Sequence, residues 1–339
     1  MAKLIYPMTE KDFFTMSVCS IHSGDIDPVY PILKQFFDKY NYDKEQRLWG
    51  CLLYVYVYNL PWTLELLTSY PSLEIAYKNE IWKYKYLKDI KIGSDRRGIY
   101  WSGGLSLILE KLIKYLYPEK TLCNYFDKYI IEENTQSDED ASKFIAINRA
   151  IRDLPLGGVW SAFKYSDLIT QTSDEIDLRC IDLFVRERLA GVGEAILALC
   201  NQDVKNHKWI KDNYRFVTMK LDEWTEEIGL LVEGKVPWKK DFKMSWFETE
   251  TVLCNYHSIA VGSYYLNMDL DDMYLKLIDK QYKINTITSI DNFILENRLK
   301  IFDKDNLVEY NKLQSRINIK KYQIRCNKCE PKKGSLCIK

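Results

Sequence analysis

The sequence predicts a mainly α-helical protein with few short strands, and three observations carry that prediction. Glycine (14) and proline (9) are scarce in 339 residues, so the chain lacks the breakers and tight-turn pairs that a β-rich fold needs. Hydrophobic residues make up 47% and charged residues 28%, the proportions of a chain with a core to bury rather than of long disorder. Apolar residues recur at helical spacing in one segment after another, and no strand–crossover–strand pattern signals a parallel α/β sheet.

The elements follow in order. Pro28 to Tyr40 places Val29, Ile32, Leu33, Phe36 and Phe37 on one face, with Asp27 as N-cap and Pro28 at the first helical position. Asp43 to Leu60 is a very apolar helix carrying Leu48, Trp49, Leu52, Leu53, Val55 and Tyr56, and Pro61 is read as its end. Trp62 to Tyr70, a stretch around Tyr77 to Tyr86, and Leu105 to Leu116 read the same way. The acidic run Glu132 to Asp140 reads as a surface loop or as the seam between two helical lobes. Helices resume at Ala141 to Arg152, Trp160 to Ile169, Asp182 to Leu189 and Gly193 to Leu199, and Asp212 to Leu231 is amphipathic. Beyond Trp238 the pattern is harder to read, with a short hairpin expected near Ser263 to Asn267. The last 28 residues, from Lys312, hold nine Lys or Arg and one acid, Glu330, a net charge of +8. No internal repeat is present. The expected organisation is one two-lobed helical domain over 1–339, its seam at 132–140, with a basic, cysteine-containing tail over 312–339.

Charge and composition exclude several classes. Forty-eight basic residues balance forty-eight acidic ones, so nucleic acid cannot be held by bulk charge and would need a local patch. The longest unbroken apolar run, Cys51 to Tyr58, is far short of the roughly 20 residues that span a bilayer. Met1 to Pro7 lacks the apolar stretch of a signal peptide, so a soluble intracellular protein is expected. Nine cysteines, odd in number and irregular in spacing, then read as buried thiols or metal ligands rather than as disulfides.

Three local motifs carry chemistry. Leu154-Pro155-Leu156-Gly157-Gly158-Val159-Trp160-Ser161-Ala162 lies between two helical stretches. Its glycines suit a turn that approaches a phosphate, and the following helix N-terminus offers free N–H groups to an anion; an ordinary helix–helix turn is the other reading. Arg96-Arg97-Gly98, with Gly103-Gly104 downstream, is the best phosphate-binding sequence, since paired guanidiniums hold phosphate oxygens and glycines let backbone amides join them. Cys326-x2-Cys329-x7-Cys337 has the Cys-x-x-Cys knuckle of zinc and iron–sulfur sites. Its fourth ligand would come from afar, Cys254 first and His257 second; the alternative is three free thiols.

The Leu154 to Ala162 segment resembles the hairpin of helix-hairpin-helix DNA glycosylases, with Leu156 standing where that motif has its first glycine. Those enzymes present a catalytic aspartate downstream of the hairpin. Asp177 is the matching residue here, with Asp174 and Asp182 as rivals and a helix N-cap as the plain alternative. Related glycosylases hold a four-cysteine [4Fe–4S] cluster near the C-terminus at a different spacing.

Further segments resemble one offshoot of that scaffold, the bacteriophage amino acid:DNA transferases, also described as the α-glutamyl/putrescinyl thymine pyrophosphorylase group. They are Asp27-Pro28-Val29-Tyr30, Gln46-x-x-Trp49 leading into Leu53-Tyr54-Val55, Arg96-Arg97-Gly98, and Val159 to Lys164 with Asp167-Leu168. Arg186-x-x-Leu189-Ala190-Gly191, Glu248-Thr249-Glu250-Thr251-x-Leu253-Cys254, Tyr264-Tyr265 and Asp269-Leu270-Asp271 follow. The resemblance implies a helix-hairpin-helix glycosylase-like, two-lobed helical fold. It implies an enzyme that replaces the phosphate or pyrophosphate on the exocyclic methylene of 5-hydroxymethyluracil-type DNA with the amine of an amino acid or polyamine. Its partners would be double-stranded DNA carrying modified thymine and the amine donor. It would be phage-encoded, act as a monomer in the bacterial host cytoplasm without a membrane, and carry a [4Fe–4S] cluster or zinc and no nucleotide cofactor.

That chemistry assigns roles. The base is flipped out of the duplex. The amine must be neutral to attack, so a carboxylate takes its proton, with Asp177, Glu250 and Asp27 as candidates. Arg96, Arg97, Gly98, Gly157, Gly158 and Lys164 would meet DNA phosphate or the leaving group, and Arg186 the carboxylate of an amino-acid donor. Cys254, Cys326, Cys329 and Cys337 would hold the metal. Cys19, Cys51, Cys123, Cys180 and Cys200 sit on apolar stretches and read as inert thiols, so no cysteine is assigned as nucleophile. A DNA glycosylase or lyase on the same scaffold and a non-catalytic DNA-binding protein are the competing readings.

Overall fold

The computed structural model describes residues 9–24, 26–90, 104–133, 138–181, 190–261 and the helical positions 269, 273, 276, 277, 279 and 280. Among the described residues the fold is helical throughout, with thirteen α-helices, three short 3-10 turns and no strand. The expected hairpin at Ser263 to Asn267 and the expected helix at Asp182 to Leu189 lie outside the described residues.

The helices belong to two compact units. Residues 29–181, with the positions at 276–280, form one; residues 9–28 and 190–275 form the other. The first contains α2 (Val29–Lys39), α3 (Lys44–Val57), α4 (Leu60–Ser69), α5 (Leu73–Lys78), α6 (Gly104–Leu116), α7 (Leu122–Glu133), α8 (Glu139–Asp153) and α9 (Val159–Thr172). The second contains α1 (Glu10–Ser23), α10 (Ala190–Leu199), α11 (His207–Asp212), α12 (Tyr214–Val232) and α13 (Trp246–Ala260). The boundaries fall at Pro28 and Ile181. The acidic run read as a lobe seam lies inside the first unit, with Glu133 closing α7 and Glu139 and Asp140 opening α8, where acids complement the helix N-terminus.

In the first unit α9 is the central element. Every residue from Ser161 to Thr172 is buried, and α2, α3 and α8 pack around it. The Tyr165 hydroxyl reaches the Leu48 carbonyl of α3 at 3.2 Å, and its ring lies 5.5 Å from that of Phe126 on α7. α3 begins at a complete capping box: Asp43 accepts from the Gln46 N–H at 2.9 Å, and Gln46 accepts from the Asp43 N–H at 3.0 Å.

Two boundaries differ from the sequence reading. Pro61 does not end α3. That helix stops at Val57 because Tyr58 turns left-handed (φ 46°), and Pro61 sits in the first turn of α4, where its missing N–H costs nothing. The stretch around Tyr77 to Tyr86 is not one helix. α5 ends at Lys78, Glu80 is left-handed (φ 49°), and two short 3-10 turns at Ile81–Lys83 and Leu87–Asp89 follow.

In the second unit α1, α10 and α12 pack against α13. Tryptophan and tyrosine tips tie the layers to main chain and carboxylate. Trp224 donates to Glu10 at 2.7 Å, Trp238 to the Ile21 carbonyl at 2.9 Å, and the Tyr256 hydroxyl to the Thr9 carbonyl at 2.7 Å. Among the described residues no helix is long and apolar enough to cross a membrane.

Candidate functional site on the central helix

α8 and α9 are joined by the turn that the sequence singled out. Leu154 and Pro155 lead into Leu156, which is left-handed (φ 64°) and exposed. That backbone conformation favours glycine, and here a leucine bears the strain. Gly157 is required for a different reason. A Cβ there would lie 2.0 Å from the Ile151 carbonyl oxygen and 2.9 Å from that of Leu154. Gly158 is extended, has open space around it, and caps α9 without a side-chain hydrogen bond. α3 holds the turn in place: the Tyr56 hydroxyl donates to the Pro155 carbonyl at 2.9 Å, and the Tyr58 and Trp160 rings meet edge-on at 5.1 Å.

One turn into α9 the interior becomes polar. Lys164 is 5% exposed and Asp167, on the same face, is 1% exposed. The Lys164 ammonium lies 3.2 Å from the Asp167 carboxylate and donates to the Tyr30 hydroxyl of α2 at 3.0 Å, while that hydroxyl donates to Asp167. The ammonium also faces the Tyr30 ring, 4.4 Å from its centre. Buried charges persist only when paired and hydrogen-bonded, and the Lys164 ammonium and one oxygen of the Asp167 carboxylate are held in that way.

The polar run continues along α9 to its C-terminal end. Arg47 donates to the Thr172 carbonyl at 2.9 Å and pairs with Asp38 at 2.7 Å; Lys34, nearly buried, pairs with Asp174 at 2.8 Å and Asp38 at 3.3 Å. Cys51 is fully buried with its sulfur 3.2 Å from the Thr172 hydroxyl, and burial pushes its thiol up to about 12. Burial also raises Cys123, to about 11, and Cys200. These three thiols are therefore protonated at neutral pH.

Asp177 lies on the segment after α9, where burial alternates. Leu178 and Cys180 turn inward and Asp177 and Arg179 outward. Its carboxylate is exposed and makes no side-chain hydrogen bond or ion pair among the described residues.

The second unit holds a separate polar set on α13. Glu248 is buried and accepts from the Ser245 N–H at 2.7 Å and hydroxyl at 2.6 Å; Glu250 is 6% exposed. Asn255 donates to the Ile26 carbonyl at 3.0 Å, beside half-buried Asp27. His257 meets Glu194 of α10 at 2.7 Å, and Gly191 leaves room for its ring, since a Cβ there would lie 3.0 Å from Nδ1. Cys254 is half-buried one turn before His257. Arg96, Arg97, Gly98, Arg186, Cys326, Cys329 and Cys337 lie outside the described residues. Among the described residues no group of three or more metal-ligating side chains occurs.

Compared with known protein families and with curated protein sequences, the chain matches none.

The structure therefore brings together some of the singled-out residues and not others. Lys164 belongs to a buried hydrogen-bonded set rather than to an exposed phosphate-contact face. Tyr30 and Asp167 were legible as parts of quoted segments but carried no assigned role. The i, i+3 spacing of Lys164 and Asp167 on a helix was the available signal; nothing in the spacing of Tyr30 pointed to them. Chemically, an ammonium, a phenol and a carboxylate in one hydrogen-bonded chain can pass or hold a proton without moving heavy atoms.

Proposed function

We propose that the chain is a DNA base-modifying transferase on a helix-hairpin-helix glycosylase-like scaffold. It acts on double-stranded DNA carrying a phosphorylated or pyrophosphorylated 5-hydroxymethyluracil-type base, flipped from the stack. The nitrogen of an amino acid or polyamine forms a bond to the exocyclic methylene, the carbon–oxygen bond breaks, and phosphate or pyrophosphate leaves with the electron pair. A carboxylate takes the proton that the amine loses.

The observation that supports this reading best is a convergence. Two segments of the family resemblance, Asp27 to Tyr30 and Val159 to Leu168, lie more than a hundred residues apart. They contribute Tyr30, Lys164 and Asp167 to one buried set, one helical turn behind a glycine turn that joins two helices.

In this reading Arg96, Arg97 and Gly98 hold the leaving phosphate, Gly157 and Gly158 meet the DNA backbone, and Arg186 meets the donor carboxylate. Asp177, Glu250 and Asp27 are the candidate bases. A [4Fe–4S] cluster or zinc on Cys254, Cys326, Cys329 and Cys337 would fix the basic tail against the body. The protein would act in the cytoplasm of a phage-infected bacterium.

The test is to incubate the full chain with DNA containing phosphorylated hydroxymethyluracil and candidate amines, then weigh the released nucleosides. The transferase yields a heavier nucleoside. An abasic site would instead make the chain a glycosylase, and unchanged DNA a binding module; either result overturns the proposal.

A further inference from the structure

Among the described residues α12 carries the most exposed apolar surface. Five of the eleven large apolar side chains that stand exposed belong to it, Tyr214, Phe216, Met219, Leu230 and Leu231, and no other helix has more than two. Met219 is 60% exposed and Leu230 67%. One side of the helix, Val217, Leu221, Trp224, Ile228 and Val232, is already buried in the second unit. At about 100° per residue, Phe216, Met219, Glu223, Glu226, Glu227 and Leu230 share a separate arc of roughly 100° on the solvent side, about 21 Å long. That second stripe does nothing to hold the unit together, and an exposed apolar stripe of this kind marks a contact surface.

The charges on the stripe select its occupant. Apolar residues stand at its two ends and acids fill the middle. Glu223 pairs with Lys220 at 2.8 Å, and Asp222 beside it accepts from the Trp246 indole at 3.0 Å. Glu226 and Glu227 make no ion pair or side-chain hydrogen bond among the described residues. DNA and an anionic membrane are repelled by such a run. A second copy fits badly too. The antiparallel register that sets Phe216 against Leu230 sets Glu223 against Glu223, and a parallel one sets every acid against itself. What fits is a segment with cations between apolar residues, and the chain carries one. Residues 312–325, outside the described residues, hold Lys312, Arg316, Lys320, Lys321 and Arg325 among Leu313, Ile317, Ile319, Tyr322 and Ile324, with no acid.

We propose that residues 312–325 dock on this face of α12. Their lysines and arginines meet Glu226 and Glu227, and their apolar side chains cover Phe216, Met219 and Leu230. A covalent tether gives the segment an effective concentration on the order of millimolar, so a modest contact suffices. Docking withholds cations that DNA phosphate would otherwise attract. That consequence rests on the transferase reading; the docking itself does not.

Carbodiimide joins a carboxylate to an amine in contact with it, and on the full chain at low salt it tests the docking, read by peptide mass. Amide links from Lys312, Lys320 or Lys321 to Glu226 or Glu227 should form in the monomeric fraction. They should fade at about 1 M salt, where charges are screened within about 3 Å. Limited trypsin cleavage at the same basic residues is the second readout. Glu226→Gln with Glu227→Gln should speed it about threefold or more, and Leu230→Ser about tenfold, because cleavage follows the undocked fraction. All three substitutions are at exposed positions, and circular dichroism checks that the fold is kept. No link between these lysines and α12, or cleavage unmoved by the substitutions, would overturn the proposal. Links confined to a covalent dimer would overturn it as well, and would assign the face to a second copy.

Discussion

The Lys164 ammonium and the Asp167 carboxylate lie 3.2 Å apart inside the protein, with the Tyr30 hydroxyl bonded to both. Such a pair contributes little net stability against an apolar replacement, but breaking it strands a charge. Lys164→Met and Asp167→Asn should therefore each cost about 3–5 kcal/mol in chemical denaturation, and the double variant much less than their sum. Additive losses would show that the two groups do not act as a pair.

The hairpin makes an opposite pair of predictions. Gly157→Ala drives a methyl into the Ile151 carbonyl and should cost more than about 1 kcal/mol, because backbone must move. Gly158→Ala meets open space at an extended residue and should be close to neutral. Leu156→Gly relieves a left-handed leucine whose side chain is 45% exposed, and should raise stability by up to about 1 kcal/mol. Thermal melts of the three variants check the order; a neutral Gly157→Ala would refute the close approach.

Some of this was legible in the sequence and some was not, for physical reasons. Helices with one apolar stripe, such as α6 and α12, were readable because burial follows a single face. α13 was not, since its buried side includes Glu248, Thr249, Glu250 and Asn255, which blur the apolar period. α1 and α7 were missed as well: α1 carries buried Ser17 and Ser20, and α7 buries only Leu122, Tyr125 and Phe126. Pro61 was misplaced by a few residues because a proline reads alike at a helix end and in the first turn of the next. In the site, Lys164 and the glycine turn were visible, whereas the partnership with Tyr30 is a tertiary contact across 134 residues with no local signature.

Burial pushes the Glu248 carboxyl above its ordinary value of 4.5, while the hydrogen bonds from Ser245 pull it part of the way back. The folded protein thus holds that proton more tightly than the unfolded chain. Glu248 accordingly lowers stability as pH rises from 4.5 through its folded value, and the full cost is present above it. Glu248→Gln keeps an acceptor for Ser245 and removes the charge. Its melting temperature should exceed the parent's at pH 7, by a margin that shrinks at pH 4. A margin that is constant or grows on acidification would contradict the buried, raised carboxyl.

Cys51 offers a chemical check on packing. With its thiol pushed up to about 12, only about one in ten thousand is ionised at pH 8, and the side chain is fully buried. Iodoacetamide should leave Cys51 unmodified in the native protein and label it after denaturation, as read by peptide mass. Rapid native labelling of Cys51 would show that α3 opens from α9.

Asp177 tests where the reaction's base resides. Its carboxylate is exposed, so Asp177→Asn should change stability by no more than about 0.5 kcal/mol, in contrast to Asp167→Asn. If Asp177 takes the amine proton, the substitution should cost about a hundredfold or more in transfer rate, with DNA affinity unchanged. The stability readout removes the usual ambiguity, because a folded, DNA-binding but inactive Asp177→Asn protein cannot be explained by unfolding. An unchanged rate, with activity lost on Glu250→Gln or Asp27→Asn instead, would move the base to the second unit. Loss only on Asp167→Asn would leave two explanations, proton transfer or collapse of the buried pair. Tyr30→Phe separates them: it keeps the ring over Lys164 and removes the hydroxyl that links ammonium to carboxylate, so a rate loss larger than its stability loss would assign the proton path to that chain.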